Sequence, residues 1–349
     1  MRCVLRLSIL VLMMATAAQC QIIDHTAVDL VDKTPQSVMD SVGRQKWFFT
    51  HASVGANMID GMNDLHSMNK NRYQLTVSSV GYSGMQASAP PSPTTSGCIY
   101  ECNRGNPGWS SKFTIFDNSV RLAGWRYPSV DLCMDKLCYI DQNASASQYL
   151  SVMSGLETYS PKTIFVYTTM PLMTSEDSDN VLRNQYNDAV RAYCCINKKL
   201  LLDIADIEAH DPNGVEQTFQ YGGNTYQRLF SSYTSDGGHL NSTGRQRVAK
   251  GWYAVAAATV PYGVNNRGAA DSVTGTAALQ KWFMVWGKFV PDGANSFWVD
   301  DGGGNMVKVI APGFSGIDQG DTVIVWGALD NSIGTTVITT TSGRIVDLD

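Results

Sequence analysis

Lys46-Trp47-Phe48-Phe49-Thr50-His51-Ala52-Ser53-Val54-Gly55-Ala56-Asn57 joins an apolar run to a short polar turn, and Met58, Met62 and Leu65 then follow at helical spacing. Residues 46–50 read as a strand that hands Ser53 to the start of a helix. The same alternation recurs along the chain. Residues 73–80, 130–140, 163–169 and 200–204 read as further strands, with helical stretches around 148–156 and 181–195. Strands alternating with helices predict an α/β fold: a doubly wound, parallel, five-stranded sheet with helices on both faces. Functional residues in such a sheet gather at the carboxyl ends of strands, where Ser53 falls.

Composition narrows the partners. The 349 residues carry 26 Lys and Arg against 31 Asp and Glu, a net charge of −5, and only 16% are charged, against about 25% in average soluble domains. No polycationic surface for nucleic acid follows from this balance. With 8 Trp, 15 Tyr and 44% hydrophobic residues the chain is too apolar to be disordered.

The first residues carry a secretory pattern: Arg2 and Arg6, an apolar run from Val4 to Met14, then small residues at 15–18. A signal peptide over 1–18 and a secreted or periplasmic protein are expected, with lipidation at Cys20 as the alternative. The apolar run is too short to span a bilayer, and no transmembrane segment is expected further along. In an oxidising compartment Cys98, Cys102, Cys133, Cys138, Cys194 and Cys195 are expected to form disulfides, in a pairing that spacing leaves open. Zinc is the rival for Cys98/Cys102 and Cys133/Cys138, although no histidine is near.

Residues 87–108, with Pro90, Pro91, Pro93 and Gly97, read as a long surface insertion pinned by cystine. The main domain is expected over 19–262 and a Gly/Ala-rich linker over 263–278. Beyond it, residues 281–290, 296–301, 306–312, 322–329 and 335–348 are β-rich, so a small all-β domain is expected over 279–349. From Gln280 onward eight Asp face four Lys and Arg, which disfavours phosphate and suits a neutral sugar.

Chemistry concentrates in Tyr233-Thr234-Ser235-Asp236-Gly237-Gly238-His239-Leu240-Asn241, which leads into a helix with Val248, Trp252 and Val255 on one face. Asp236 and His239, three apart on a turn, are placed for the carboxylate to hold the imidazole's tautomer, and a nucleophile completes such a pair. Ser53 supplies it, at a strand end whose following helix offers backbone N–H groups to a developing oxyanion. Lys136 reads as a buried cation paired with Asp131 or Asp135. Asp206, Glu208 and His210 read as a solvated loop rather than a pocket lining or cation site, His51 as a strand-end hydrogen-bonding residue, and Asp60, Asp64 and His66 as helix-surface charge. No metal and no cofactor are called for.

Serine first and Asp-x-x-His last resembles the SGNH/GDSL hydrolase superfamily. The likeness is nearer to a secreted bacterial branch with a His-x-Ser-Val-Gly serine block, matched by Lys136-Leu137-Cys138-Tyr139, Thr169-Met170-Pro171-Leu172 and Asp203-Ile204-Ala205-Asp206-Ile207-Glu208. It spans roughly residues 47–255. The resemblance makes Ser53 the nucleophile, His239 the base and Asp236 its orienter. It also calls for an oxyanion glycine, either Gly84 or the Gly105-Asn106 pair, with Asn106 as a further donor. The family's Gly-x-Asn-Asp asparagine has no counterpart, since Cys138-Tyr139-Ile140-Asp141 stands there. The last 70 residues resemble an OB-fold barrel, through Val285-Trp286-Gly287, Phe297-Trp298-Val299 and Val323-Ile324-Val325-Trp326-Gly327. The implied function is a secreted serine esterase acting on O-acyl, most naturally O-acetyl, groups of a small-molecule or polysaccharide ester. Because the asparagine is missing, a carbohydrate-binding protein of weak or no activity is the alternative.

Overall fold

The structure is a computed structural model that describes residues 21–260, 262–263, 282–330, 337–340 and 344–349. The expected signal peptide, Cys20 and nearly all of the expected linker lie outside the described residues.

Seven strands form the main sheet: β1 (Gln21–Ile23), β2 (Trp47–His51), β3 (Thr76–Ser79), β6 (Cys98–Asn103), β7 (Leu132–Asp135), β8 (Ile164–Thr168) and β9 (Leu200–Leu202). Between β3 and β6 runs a small hairpin of β4 (Tyr82–Ser83) and β5 (Gln86–Ala87). The sheet order is β1-β9-β8-β7-β2-β6-β3, and every pairing is parallel. The parallel α/β architecture is the expected one, with two more strands. One addition is β1. The other is β6, which corrects the reading of residues 87–108 as an insertion loop: its centre is a buried strand beside β2.

Strand β2 shows why the sheet is buried on both faces. Its side chains alternate sides. Trp47 and Phe49 enter a core with Met58, Leu65 and Trp252, while Phe48 enters a second core with Phe116, Trp125 and Tyr149. The first core is covered by α1 (His25–Leu30), α2 (Gln36–Val42), α3 (Val54–Met68) and α8 (Ser242–Ala258). The second is covered by α4 (Trp109–Asn118), α5 (Ala146–Tyr159) and α6 (Ser178–Ile196). Helix α7 (Ile204–Ala209) follows β9.

Helices α3 and α8 approach closely because Gly61 has no side chain: a Cβ there would stand 2.3 Å from the Arg245 carbonyl oxygen. Arg245 also holds Asp64 in a two-pronged pair at 2.8 and 3.0 Å, while His66 bonds the Tyr73 carbonyl oxygen through Nδ1. Asp64 and His66 thus have ordinary partners within the fold.

Five of the six cysteines expected in disulfides are not bridged, and strand geometry explains three of them. Cys98, Cys102, Cys133, Cys138 and Cys194 are buried free thiols. Cys98 and Cys102 on β6 share a core with Cys133 on β7, but β2 lies between those strands. Two strand spacings of about 4.8 Å each exceed the Cα separation a disulfide spans. Cys195 is disulfide-bonded.

After the β10 (Thr218–Tyr221) and β11 (Asn224–Gln227) hairpin and α8, the chain turns to β12 (Tyr262–Gly263), β13 (Trp282–Pro291), β14 (Ser296–Asp300), β15 (Met306–Ile310), β16 (Thr322–Asp330), β17 (Val337–Thr339) and β18 (Ile345–Asp347). Pairing runs β13-β14-β15-β17-β16 and returns to β13, closing a five-stranded ring. Its interior holds Phe283, Val285, Phe297, Val309, Val323 and Val325. The stretch expected as one last strand is two, β17 and β18.

Candidate active site

Ser53 sits at the sharp junction of β2 and α3 with φ 55° and ψ −118°, a backbone conformation that costs a residue with a Cβ on the order of 1–3 kcal/mol. A serine at a helix N-cap usually bonds the helix's own first N–H groups. Ser53 makes no such cap bond. Its Oγ lies instead 2.7 Å from Nε2 of His239. The turn also needs Gly55, where a Cβ would stand 2.4 Å from the His51 Cβ.

His239 lies on the loop before α8. Its Nδ1 is 2.7 Å from Asp236 Oδ2, so the Asp236, His239 and Ser53 side chains form one unbroken chain. Asp236 Oδ1 accepts N–H bonds from Gly238 at 3.0 Å and His239 at 2.8 Å. The Gly238 N–H first, with the His239 side chain and N–H, holds the Asp236 carboxyl well below the usual carboxylate range. Being ionised, it fixes Nδ1 as the protonated nitrogen and leaves the Nε2 lone pair for the serine proton.

Three residues with no role readable from the sequence complete this geometry. Asn57, on the first turn of α3, accepts the Leu240 N–H at 3.0 Å and so joins the serine helix to the histidine loop. The Tyr139 hydroxyl lies 3.3 Å from His239 Nδ1 and 3.4 Å from Nε2, with its ring edge-on to the imidazole. Gly238 permits that approach, since a Cβ there would be 2.9 Å from the Tyr139 ring. Cys138 stands just before Tyr139, beside Ser53. Burial would raise its thiol, but the Lys136 ammonium, a hydrogen bond with Ser53 and one with the Ile140 backbone bring it below its ordinary value.

Beneath the nucleophile lies a buried polar layer. Lys136 donates to the Ala52 carbonyl at 3.1 Å, and burial lowers its ammonium to about 8. Its expected pairing with Asp131 or Asp135 is corrected. Asp131 caps the Lys46 N–H at 2.8 Å, and Asp135 is bonded by Thr50 at 2.5 Å and Arg104 at 2.9 Å. Glu208, far from a solvated loop, is fully buried, accepts the Leu172 N–H at 2.7 Å and is pushed by burial up to about 8. His51 meets Glu101 at 2.7 Å through Nε2, and Ser79 bonds the other Glu101 oxygen. Burial lowers the His51 pKa, so a neutral ring donates to the carboxylate.

The two oxyanion candidates lie in different surroundings. Gly84 is at the tip of the exposed β4–β5 hairpin, with φ 59° and nothing within 4 Å of a Cβ position. That hairpin packs on α4, and Asn118 bonds the Met85 carbonyl at its tip. Gly105 and Asn106 follow β6, the strand that flanks β2. The Asn106 side-chain Oδ1 accepts from Lys112 at 3.0 Å, and Lys112 also meets Asp141 at 2.5 Å.

No protein-family model matches the chain, and no curated protein does. Among solved structures it is similar to an acylhydrolase of Bacteroides fragilis, at 13% identity over 59% of this chain and 83% of that one, with a TM-score of 0.36. A G-D-S-L family lipolytic protein of Desulfitobacterium hafniense aligns at 10% identity over 60% and 99%, TM-score 0.38. A catalytic mutant of an acetylxylan esterase of Geobacillus stearothermophilus aligns at 9% identity over 61% and 94%, TM-score 0.34.

Among the described residues no helix is long and apolar enough to cross a membrane.

Proposed function

We propose that this chain is a serine ester hydrolase of SGNH type. The observation that carries the reading is the continuous Asp236–His239–Ser53 chain, with both links at 2.7 Å, at the carboxyl end of a parallel strand. Ser53 Oγ attacks the ester carbonyl while His239 Nε2 takes its proton. The tetrahedral intermediate expels the alcohol, which receives that proton, and water then releases the acid by the same steps in reverse roles. The Val54 N–H at the start of α3 is the donor for the developing oxyanion, since the Gly55 and Ala56 N–H groups are given to the Ala52 and Ser53 carbonyls. The loop after β6, with Gly105 and Asn106, is the better second donor because it borders β2.

The substrate reading is an O-acyl, most naturally O-acetyl, ester on carbohydrate, handled outside the cytoplasm. The closed ring of β13 to β17 suits an OB-like barrel whose outer face carries Trp286, 52% exposed, and the part-exposed Trp298 with Lys308 over its ring. Flat indole faces stack on sugar rings, and the acidic balance of this region turns away phosphate.

A fluorophosphonate probe and p-nitrophenyl acetate test the reading together. The folded chain is expected to be labelled at Ser53 and to hydrolyse the ester, and Ser53→Ala to do neither. A folded chain that takes no label overturns catalysis and favours the carbohydrate-binding alternative, which the missing Gly-x-Asn-Asp asparagine motivates.

A further inference from the structure

His25, at the start of α1, and Asp206 and His210, on and just after α7, lie 181 or more residues apart in sequence for the outer pair, yet one donor atom from each lies within 4.8 Å of the other two. The strands that precede them, β1 and β9, are neighbours and run parallel, so both helices leave the same edge of the sheet. The contacts are close. His25 Nδ1 is 2.5 Å from Asp206 Oδ1, and the His25 backbone N–H donates to the same oxygen at 2.9 Å. His210 Nδ1 is 3.4 Å from Asp206 Oδ2 and 2.8 Å from the Asp206 carbonyl oxygen. The side chains are mostly shielded, at 18%, 16% and 9% exposure for His25, Asp206 and His210.

We infer that His25, Asp206 and His210 form a site for a borderline divalent cation, zinc being the reference ion. The two imidazoles stack face to face, with centroids 3.5 Å apart and planes 12° from parallel. Two imidazole nitrogens with one carboxylate oxygen suit zinc, cobalt or nickel, and are the wrong donors for calcium or magnesium. Ligands around zinc at about 2.0–2.2 Å stand 3–4 Å apart, so binding requires one imidazole to turn out of the stack until both ring planes meet at the ion. Asp206 makes ion pairs with these two histidines alone among the described residues. The bound ion would clip α1 and the edge strand β1 to α7, at a place separate from the Ser53 chain and with no part in its chemistry.

Titration calorimetry of the full chain, first stripped with EDTA, against zinc chloride tests this, with thermal melts and cobalt absorption alongside. One zinc per chain is expected, a melting temperature that rises with zinc and falls back with EDTA, and binding weakened at least ten-fold in His25→Ala and His210→Ala. Should either fail to fold by circular dichroism, His25→Gln and His210→Gln take its place. Absence of stoichiometric uptake by the folded chain overturns the site, as does zinc binding that is equal in the histidine variants.

Discussion

The molecule holds two sets of polar side chains within a few residues of each other, and they obey opposite rules. The Ser53–His239–Asp236 chain lies at the surface, with the Asp236 and His239 side chains 53% and 42% exposed, and its order comes from short, directed hydrogen bonds. The layer beneath it, of Lys136, Asp135, Arg104, Glu208 and His51, is almost wholly removed from water. There, burial overrides the usual charge states: Glu208 is pushed up, and Lys136 and His51 are pushed down. The outer set can change charge during a reaction because water is near. The inner set, locked by buried contacts, gives the outer set a rigid floor.

If this division is right, substitutions in the two sets move different observables. The largest effect belongs to the outer set. Ser53→Ala should lower kcat on p-nitrophenyl acetate by about 10⁴-fold or more, and Asp236→Asn by about 10²–10⁴-fold, both with an unchanged melting temperature. A melting temperature that fell with kcat in Ser53→Ala would erase the distinction.

In the inner set Arg104→Met leaves Asp135, already short of a partner at Oδ2, as an uncompensated buried charge. Urea unfolding should show a loss of about 3–5 kcal/mol. Next comes pH. Glu208 binds its proton up to about 8 when folded, against an ordinary 4.5, so the folded state holds more protons between those values and stability falls as pH rises through that window. Glu208→Gln should flatten that slope in melts run from pH 5 to 8, and an unaltered slope would assign it to another group.

The smallest effect is one of labelling alone. Alkylation of the denatured, unreduced chain, read by mass spectrometry, should modify Cys98, Cys102, Cys133, Cys138 and Cys194 and spare Cys195 until reductant is added.

The outer set was legible in the sequence because each member marks a junction. Ser53 ends an apolar strand, and Asp236 and His239 share a glycine-rich turn before an amphipathic helix. The inner set was not legible, since which strands lie side by side decides its pairings. Lys46-to-Thr50 reads as a strand from its apolar run, but nothing local says that Thr50 faces Asp135 or that His51 meets Glu101. Strand β6 was hidden for a related reason. Glu101 and two cysteines interrupt its apolar character, and the prolines before it signal a loop. The cysteines themselves promised disulfides by compartment, and only the sheet order shows that β2 keeps β6 and β7 apart. The tie between His25 and Asp206 joins residues 181 apart in the chain and leaves no trace in spacing.

The glycine at position 61 has a consequence for how this enzyme would be damaged or improved. Ser53 caps α3 and His239 precedes α8, so the contact between Gly61 and the Arg245 carbonyl sets the alignment of the two halves. A methyl group there acts as a wedge. It would tilt one helix against the other and open the 2.7 Å serine–histidine link without touching either residue. A screen for lost turnover would find this remote spot as readily as the triad, and a screen for gained activity should leave it alone.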